Sequence, residues 1–311
     1  MPLLSKPAWV KPASVKPAWA RPALLLRAAG VLAALGVIAI AAPARAGQGK
    51  LLATGGASQV EGAGGGGLVP WATLSGYGTR EQHGGAVFAT RVDTGDYALD
   101  VQGAAFTLGN RLELSLARQR LDLGELRRQL SLPWQSLGQD IFGAKLRLSG
   151  DLIYTRAPQV SAGVQYKRLR DATLPLALGA RDESGVDLYV SATKLFLSGP
   201  GGYQWLLNGT VRSTRANQLG LLGFGGDHKS GRSLLLEGSA AVLLAPSLAV
   251  GVEYRQKPDN LGFAREDDWR DAFVAWFPNK HLSVVAAWAE LGSIATLDNQ
   301  RGPYLSVQLA F

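Results

Sequence analysis

The chain has 311 residues, of which 47% are hydrophobic, and this length suits one large domain. It contains no cysteine, which excludes a disulfide framework and thiolate metal sites. The formal net charge is +8, but six basic residues and no acidic ones precede residue 47, so the remainder carries only +2. This distribution argues against a basic groove for nucleic acid.

The first 46 residues have the layout of a secretory signal peptide. Residues 28–42 are apolar or glycine without interruption, basic residues precede them, and Ala44-Arg45-Ala46 follows. This run is shorter than the ~20 residues that a membrane-spanning helix needs. We therefore expect export and cleavage after Ala46 rather than a membrane anchor. A basic-Pro-Ala unit also repeats between Lys6 and Ala23, and its prolines predict an extended start.

Residues 47–83 form a glycine-rich N-terminal segment. Its run of small residues at 62–67 is too flexible to hold a regular element. Three roles stay open for it: a tether for an N-terminal strand, the lining of a periplasmic entrance, or a plug inside a barrel. Residues 69–78, which include Trp71 and Tyr77, are a candidate strand.

From residue 84 onward the sequence alternates repeatedly between apolar and polar positions. Leu112, Leu114 and Leu116 alternate with polar or small residues, and residues 144–154, 160–167 and 248–255 show the same period of two. This period predicts β-strands with one apolar face. A soluble β-sandwich would also alternate, but export, strand length and the final aromatic strand together favour a transmembrane barrel.

The spacing of these segments predicts an all-β fold, a transmembrane antiparallel up-and-down β-barrel over residues 84–311. Connections of alternating length, short then long, match periplasmic turns and outside loops, and bacterial barrels of one chain have even strand counts. We predict about twelve strands, with fourteen as the alternative if residues 50–60 and 69–78 both join the barrel. The predicted strands are 84–92, 97–107, 111–121, 143–154, 159–170, 184–197, 203–213, 231–244, 247–256, 268–277, 281–290 and 302–311.

The last ten residues are the clearest of these strands. Leu305, Val307 and Leu309 fall at every second position, and the chain ends on the aromatic Phe311. This pattern resembles the carboxy-terminal signature of bacterial outer-membrane barrels. The resemblance implies that the barrel-assembly machinery is a partner, acting through residues 304–311, and that the last strand closes onto the first.

Several connecting segments resemble a family of exported proteobacterial proteins of unknown function. They are residues 179–187, 216–227, 257–264 and 276–281. The similarity covers nearly all of the mature chain. It implies an exported outer-membrane barrel, and it transfers no residue roles.

Catalytic signals are weak. His281 and Ser283, with Glu290 beyond, are reminiscent of the Ser-His-acid arrangement of a barrel lipid hydrolase. However, the predicted topology places His281 at a periplasmic turn. The three histidines have no metal-ligand spacing, so we expect no metal and no cofactor.

Charged residues on the inward faces are better candidates for function, because such rings set solute passage in a water-filled pore. The alternative is that they pair across strands and fill a narrow lumen. The predicted pore-lining residues are Arg111, Glu113, Lys145, Arg147, Asp151, Lys167, Asp187, Arg212, Glu237, Glu253 and Arg255.

The function expected from the sequence is a passive, porin-like channel for small solutes in the cell outer membrane. Its partners would be outer-membrane lipid and the solutes, without nucleic acid, and an oligomer is compatible with the sequence. Two alternatives stay open: a lipid hydrolase that uses Ser283 and His281, and a structural or adhesin-like barrel that binds a partner through its outside loops.

Overall fold

A computed structural model describes residues 49–311, so the predicted signal peptide and its cleavage site lie outside the described residues. Two short strands, β1 (Ala57–Ser58) and β2 (Gly64–Gly65), pair with each other. Twelve further strands form one closed antiparallel barrel, as predicted. They are β3 (His83–Asp93), β4 (Ala98–Leu108), β5 (Leu112–Asp122), β6 (Ser136–Ser149), β7 (Gln159–Leu169), β8 (Ser184–Phe196), β9 (Gln204–Thr214), β10 (Ser233–Ala245), β11 (Leu248–Arg255), β12 (Trp269–Trp276), β13 (Leu282–Ile294) and β14 (Leu297–Ala310).

The barrel closes between its last and first strands. β14 pairs with β3 in a register that runs from Tyr304 opposite Val92 to Ala310 opposite Ala86. Tyr304 and Ala310 are buried on the inner face, whereas Leu305 points outward and is 40% exposed. The alternation at the C-terminus therefore gives an inner and an outer face, as the sequence predicts, and leaves no free sheet edge.

The two ends of the barrel differ. One end, here called the turn end, carries the connections 109–111, 150–158, 197–203, 246–247 and 277–281, and it includes the short 3-10 turn Pro200–Gly202. The other, the loop end, carries 123–135 with helix α1 (Gly124–Leu130), 170–183 with helix α2 (Thr173–Ala177), 215–232 with the 3-10 turn Asn217–Gly220, and 256–268. Short turns face the periplasm in outer-membrane barrels. None of the helices among residues 49–311 is long and apolar enough to span a membrane.

The outer surface has an apolar band with charges above it. On β5, Leu114 and Leu116 are 47% and 54% exposed, whereas Glu113 is 1% exposed and faces the lumen. Toward the loop end the outer face becomes charged, with Arg118 paired to Asp140 at 2.7 Å. An apolar belt outside and polar side chains inside define a transmembrane β-barrel.

Three predictions about the strands are wrong. β6 spans 136–149 rather than 143–154, because Gly150 adopts a left-handed φ of 72° and the chain turns there. The predicted long loop 291–301 is a tight turn at 295–296, since β13 and β14 continue through bulges at Gly292. Residues 69–78 are not a strand, and they lie buried beside β1 and β2.

Candidate functional site

The lumen contains the N-terminal part of the chain. Residues 55–78, here called the plug, form one uninterrupted stretch of buried positions. The β1–β2 pair lies within the plug, and Gly65 also bridges to Pro70. Residues 79–82 then lead directly into β3. A twelve-stranded barrel is wider than one that side chains alone fill, and here main chain occupies the space.

Near the turn end, the buried ion pair of Glu113 and Lys145 forms hydrogen bonds with the plug backbone. The carboxylate of Glu113 accepts hydrogen bonds from the amides of Gly64 (3.0 Å) and Ser75 (2.7 Å). Lys145 Nζ lies 3.3 Å from that carboxylate and donates to the carbonyls of Gly64 and Thr73, both at 2.7 Å. Each buried charge thus satisfies polar main-chain groups of the buried plug.

Hydroxyl and amide side chains hold the middle of the plug. The carbonyl of Pro70 accepts hydrogen bonds from Ser191 Oγ at 3.1 Å and Thr210 Oγ1 at 2.8 Å. The carbonyl of Ala72 accepts one from Ser161 Oγ at 2.6 Å, and its amide donates to Thr193 Oγ1 at 2.7 Å. These contacts come from β7, β8 and β9, so adjacent strands share the same short piece of plug.

Glu61 of the plug makes ion pairs with three strands of the wall. Its carboxylate pairs with Lys167 on β7, with Arg255 on β11 at 2.9 Å and with Arg212 on β9 at 3.4 Å. The same three cations also pair with Asp187 and Glu237 of the wall. The result is a balanced cluster of three acids and three cations, here called the Glu61 cluster.

Glu253 fixes the glycine run. Its Oε2 accepts a hydrogen bond from the amide of Leu68 at 2.7 Å, and its Oε1 accepts one from Ser239 Oγ at 2.7 Å. A Cβ atom at Gly66 would lie 2.0 Å from Glu253 Oε1. Only glycine fits at position 66, because the plug backbone lies too close to the wall for a side chain.

At the loop end, residues 215–226 fold inward over the plug and are here called the lid. At the tip of the lid, Gln218 and Leu219 have φ angles of 44° and 62°. The carbonyl of Leu219 accepts a hydrogen bond from Lys167 Nζ at 3.1 Å, so this one ammonium group contacts both lid and plug.

The lid tip is held by a second buried ion pair from the connection 256–268. The backbone N–H of Gln218 donates to both carboxylate oxygens of Glu266, at 2.9 and 3.0 Å. The side-chain oxygen of Gln218 accepts a hydrogen bond from Lys257 Nζ at 2.6 Å. Lys257 and Glu266 lie 3.2 Å apart. Burial lowers the pKa of Lys257, an effect that the nearby carboxylate of Glu266 opposes. A hydrogen bond from the Ser293 hydroxyl lowers the pKa of the neighbouring Asp267.

The structure separates the predicted pore-lining residues into two groups. Eight are buried on the inner face, but they contact the plug, the lid or one another rather than open water: Glu113, Lys145, Lys167, Asp187, Arg212, Glu237, Glu253 and Arg255. Arg111 is exposed in the turn before β5, which corrects its predicted inward position. Arg147 and Asp151 pair at 3.0 Å at the turn end, and Asp151 lies beyond the end of β6.

The candidate catalytic residues do not come together. His281 Nδ1 lies 3.1 Å from the carbonyl of Ala310 at the turn end, and Ser283 is buried on the inner face. Glu290 is on the outer face, paired with Arg270 at 2.6 Å. It is seven positions from Ser283, about 23 Å along a strand. No group of three metal-ligating side chains lies among residues 49–311.

Sequence reasoning missed Glu61. The available signal is its isolation, because it is the only charged residue between positions 51 and 79. A lone charge within a small-residue segment is costly to bury unless it is paired. Here its partners are Lys167, Arg212 and Arg255, each more than 100 positions away in sequence.

The comparison with protein families decides the relationship of the chain. A family described as proteins of unknown function, DUF3034, matches residues 54–308, which include the whole plug and all of the barrel except the last two residues of β14. The chain belongs to this family. None of the curated proteins compared is similar to it in sequence.

Solved structures with a similar fold are outer-membrane proteins. Omp33 of Acinetobacter baumannii has a TM-score of 0.42 at 9% identity, over 74% of this chain and 98% of that one. The COG4313 outer membrane channel of Pseudomonas putida F1 has 0.40 at 12%, over 73% and 94%. Outer membrane phospholipase A of Escherichia coli has 0.36 at 9%, over 73% and 92%. Independently of these likenesses, the closed twelve-stranded barrel with an apolar outer belt has the architecture of a transmembrane β-barrel.

Proposed function

We propose that this DUF3034 protein is a gated channel for small solutes, closed in the described state by the plug. The inner face of β6 to β11 carries charged and hydroxyl side chains of the kind that line an aqueous lumen. A permanently open pore does not fit a lumen filled by main chain.

The observation that carries the proposal is the way the plug is held. Its polar contacts with β5 to β11 are hydrogen bonds and ion pairs, as at Pro70, Ala72 and Glu61, while Val60, Leu68, Val69 and Trp71 also belong to an apolar cluster with wall residues. Water can replace the polar contacts once the plug moves, so the cost of withdrawal comes mainly from the apolar ones. The plug also precedes β3 and joins the barrel through residues 79–82 alone, so it can leave the lumen without any barrel strand unpairing.

Reversible cross-linking tests the proposal. Ser58 Oγ on the plug donates to Gln308 Oε1 on β14 at 2.7 Å, so Ser58→Cys and Gln308→Cys place two thiols within reach of a short bifunctional thiol reagent. The natural chain has no cysteine, which makes the reaction specific. In planar bilayers we expect discrete current steps before cross-linking, none after it, and their return when a cleavable linker is reduced.

Each single-cysteine variant treated in the same way is the control. Current steps of equal size and frequency in the linked and unlinked protein would contradict a plug gate. The enzymatic alternative receives no support from the geometry, because Ser283, His281 and Glu290 lie on different faces or ends of the barrel.

A further inference from the structure

The outer wall near the loop end carries charged side chains in rows that cross β5, β6 and β7. In the lower row Arg118, Asp140 and Arg168 lie opposite one another in the strand register. Arg118 pairs with Asp140 at 2.7 Å and Arg168 pairs with Glu183 at 3.3 Å, so the arginines of this row have acidic partners. The row directly beneath is apolar and exposed, and it consists of Leu116, Phe142 and Tyr166.

The upper row has an arginine on each side and a glycine between them. Gly138 of β6 is the register partner of Arg120, and its carbonyl accepts a hydrogen bond from the backbone amide of Arg170 at 2.9 Å. A Cβ atom at Gly138 would lie 3.4 Å from Cδ of Arg170, so the Arg170 side chain passes over the glycine. Neighbouring strands are about 4.8 Å apart, which places the backbones of the two arginines roughly 10 Å apart. Their guanidinium groups can therefore reach a single ligand.

The two arginines of the upper row are exposed, and neither has an acidic partner among the described residues. Arg120 Nε donates to Ser136 Oγ at 3.1 Å, and the Arg170 guanidinium has no hydrogen bond or ion pair within the described part of the chain. The nearby acids Asp122 and Asp171 accept hydrogen bonds from backbone amides two positions further on, at 3.0 and 2.9 Å. Like charges side by side are unfavourable, so an anion between the two arginines would stabilise this row.

The height of the upper row on the wall fits a lipid headgroup. Successive rows on one face are two residues apart, about 6.7 Å along a strand, and strands of such barrels are tilted by roughly 40°. The upper row therefore lies roughly 10 Å beyond the apolar row along the barrel axis. Arginine side chains can extend back toward the boundary of the hydrocarbon core. A lipid whose tails lie on the apolar row thus places its headgroup beside Arg120 and Arg170.

We propose that Arg120 and Arg170 bind the phosphate monoester of a lipid headgroup in the leaflet at the loop end. A phosphate monoester carries about −1.5 to −2 charge at pH 7, which matches two guanidinium groups. Each guanidinium can donate two parallel hydrogen bonds to it. A phosphodiester carries a single negative charge and leaves one arginine uncompensated. The site lies on the outer wall, on the opposite face from the plug, so the proposal stands whether or not the barrel conducts.

Two lipids with the same tails test the choice of headgroup. Dioleoyl phosphatidic acid carries a phosphate monoester, whereas dioleoyl phosphatidylglycerol carries a diester. Native mass spectrometry of the barrel released from detergent micelles measures the fraction that retains each lipid over a concentration series. We expect phosphatidic acid to bind about tenfold more tightly, the lower end of what a hydrogen bond to a charged group contributes. Inorganic phosphate at the same concentration should not displace it, because inorganic phosphate lacks the tails.

Three variants locate the site. Arg120→Gln combined with Arg170→Gln removes both charges, so the preference for phosphatidic acid should disappear. Gly138→Asp keeps both arginines and places a carboxylate between them, as in the lower row, and it should also abolish the preference. Arg270→Gln is the control, because it removes an outward-facing arginine of β12 that pairs with Glu290, and it should keep the preference.

Equal affinity of the wild-type protein for the two lipids would overturn the proposal. So would displacement of phosphatidic acid by inorganic phosphate, a preference that survives in the double variant or in Gly138→Asp, or a preference that is lost in Arg270→Gln. Thermal unfolding at the wild-type temperature verifies that each variant is a folded barrel.

Discussion

Replacing Glu61 with Gln tests how the plug is retained. The change keeps the shape of the side chain and removes the single negative charge that the plug contributes to the Glu61 cluster. Lys167, Arg212 and Arg255 each lose one partner, but each keeps at least one carboxylate, from Asp187 or Glu237. The cluster therefore changes from balanced to one excess positive charge in a buried site.

The magnitude follows from this count. Removing one partner from a buried ion pair costs about 3–5 kcal/mol. Because every cation retains another carboxylate, we expect the low end, about 3 kcal/mol. At about 1.4 kcal/mol per factor of ten, the equilibrium between plugged and unplugged barrel should shift by roughly a hundredfold toward the unplugged form. The strand pairings themselves do not change, so the barrel should stay intact.

Single-channel recording measures this shift as an increase in open probability. Glu290→Gln is the matched control, because it removes the same charge from an outward-facing pair with Arg270 and should leave gating unchanged. Heat-modifiable mobility, the difference in electrophoretic migration between boiled and unboiled samples, verifies that both variants remain folded barrels. If the open probability of Glu61→Gln stays within about twofold of wild type, the free-energy argument for plug retention is wrong.

Three further outcomes are expected. Gly66→Ala places a Cβ 2.0 Å from Glu253 Oε1 and should weaken plug binding by about 1–3 kcal/mol, raising the open probability, whereas Gly209→Ala, with nothing within 4 Å, should not. The hydrogen bond from the Ser293 hydroxyl lowers the pKa of Asp267. The ionised Asp267 carboxylate therefore stabilises the loop fully above the ordinary carboxyl pKa of about 3.9, and this stabilisation is lost as the pH falls through the lower pKa of the folded state. Pepsin cleavage of 256–268 should thus begin only in strong acid, and at higher pH in Ser293→Ala; cleavage at the same pH in both would contradict this. Gln218→Ala removes the lid contact with Lys257 and should speed proteolysis of 215–226 without altering barrel unfolding, which limited proteolysis and thermal scans can separate.

The strands were predictable because lipid and lumen impose a period of two on each of them. Leu305 and Ser306 show the two faces in adjacent positions, one 40% and the other 2% exposed. This alternation does not predict where a strand ends or continues when the backbone departs from the regular extended conformation. Leu152 and Tyr154 continue the alternation after β6 has ended at Ser149, and the bulge at Gly292 hides the continuation of β13. A positive φ at a glycine is a property of the backbone that hydrophobic alternation does not report.

The plug was not predictable in the same way. Residues 62–67 have no period, and the prediction that they hold no regular element is wrong, because Gly64 and Gly65 form β2 by pairing with β1. Glu61 meets Lys167 across 106 positions of sequence, and Leu68 meets Glu253 across 185. The sequence does predict that the inner face is charged, and it leaves open whether those charges line water or pair with one another. The structure adds a third partner for them, the main chain of the plug.

Lys167 connects the two parts that close the lumen. Its ammonium group contacts Glu61 of the plug, Asp187 of the wall and the Leu219 carbonyl of the lid. Withdrawal of the plug would remove one of the two carboxylates from this ammonium group, and withdrawal of the lid would remove its carbonyl acceptor. Since either movement would admit water, which can hydrate this ammonium group in place of the partner that the other movement removes, we expect each movement to make the other less costly. We therefore expect the lid and the plug to be energetically coupled through one side chain, so that displacement of the lid would weaken the hold on the plug beneath it.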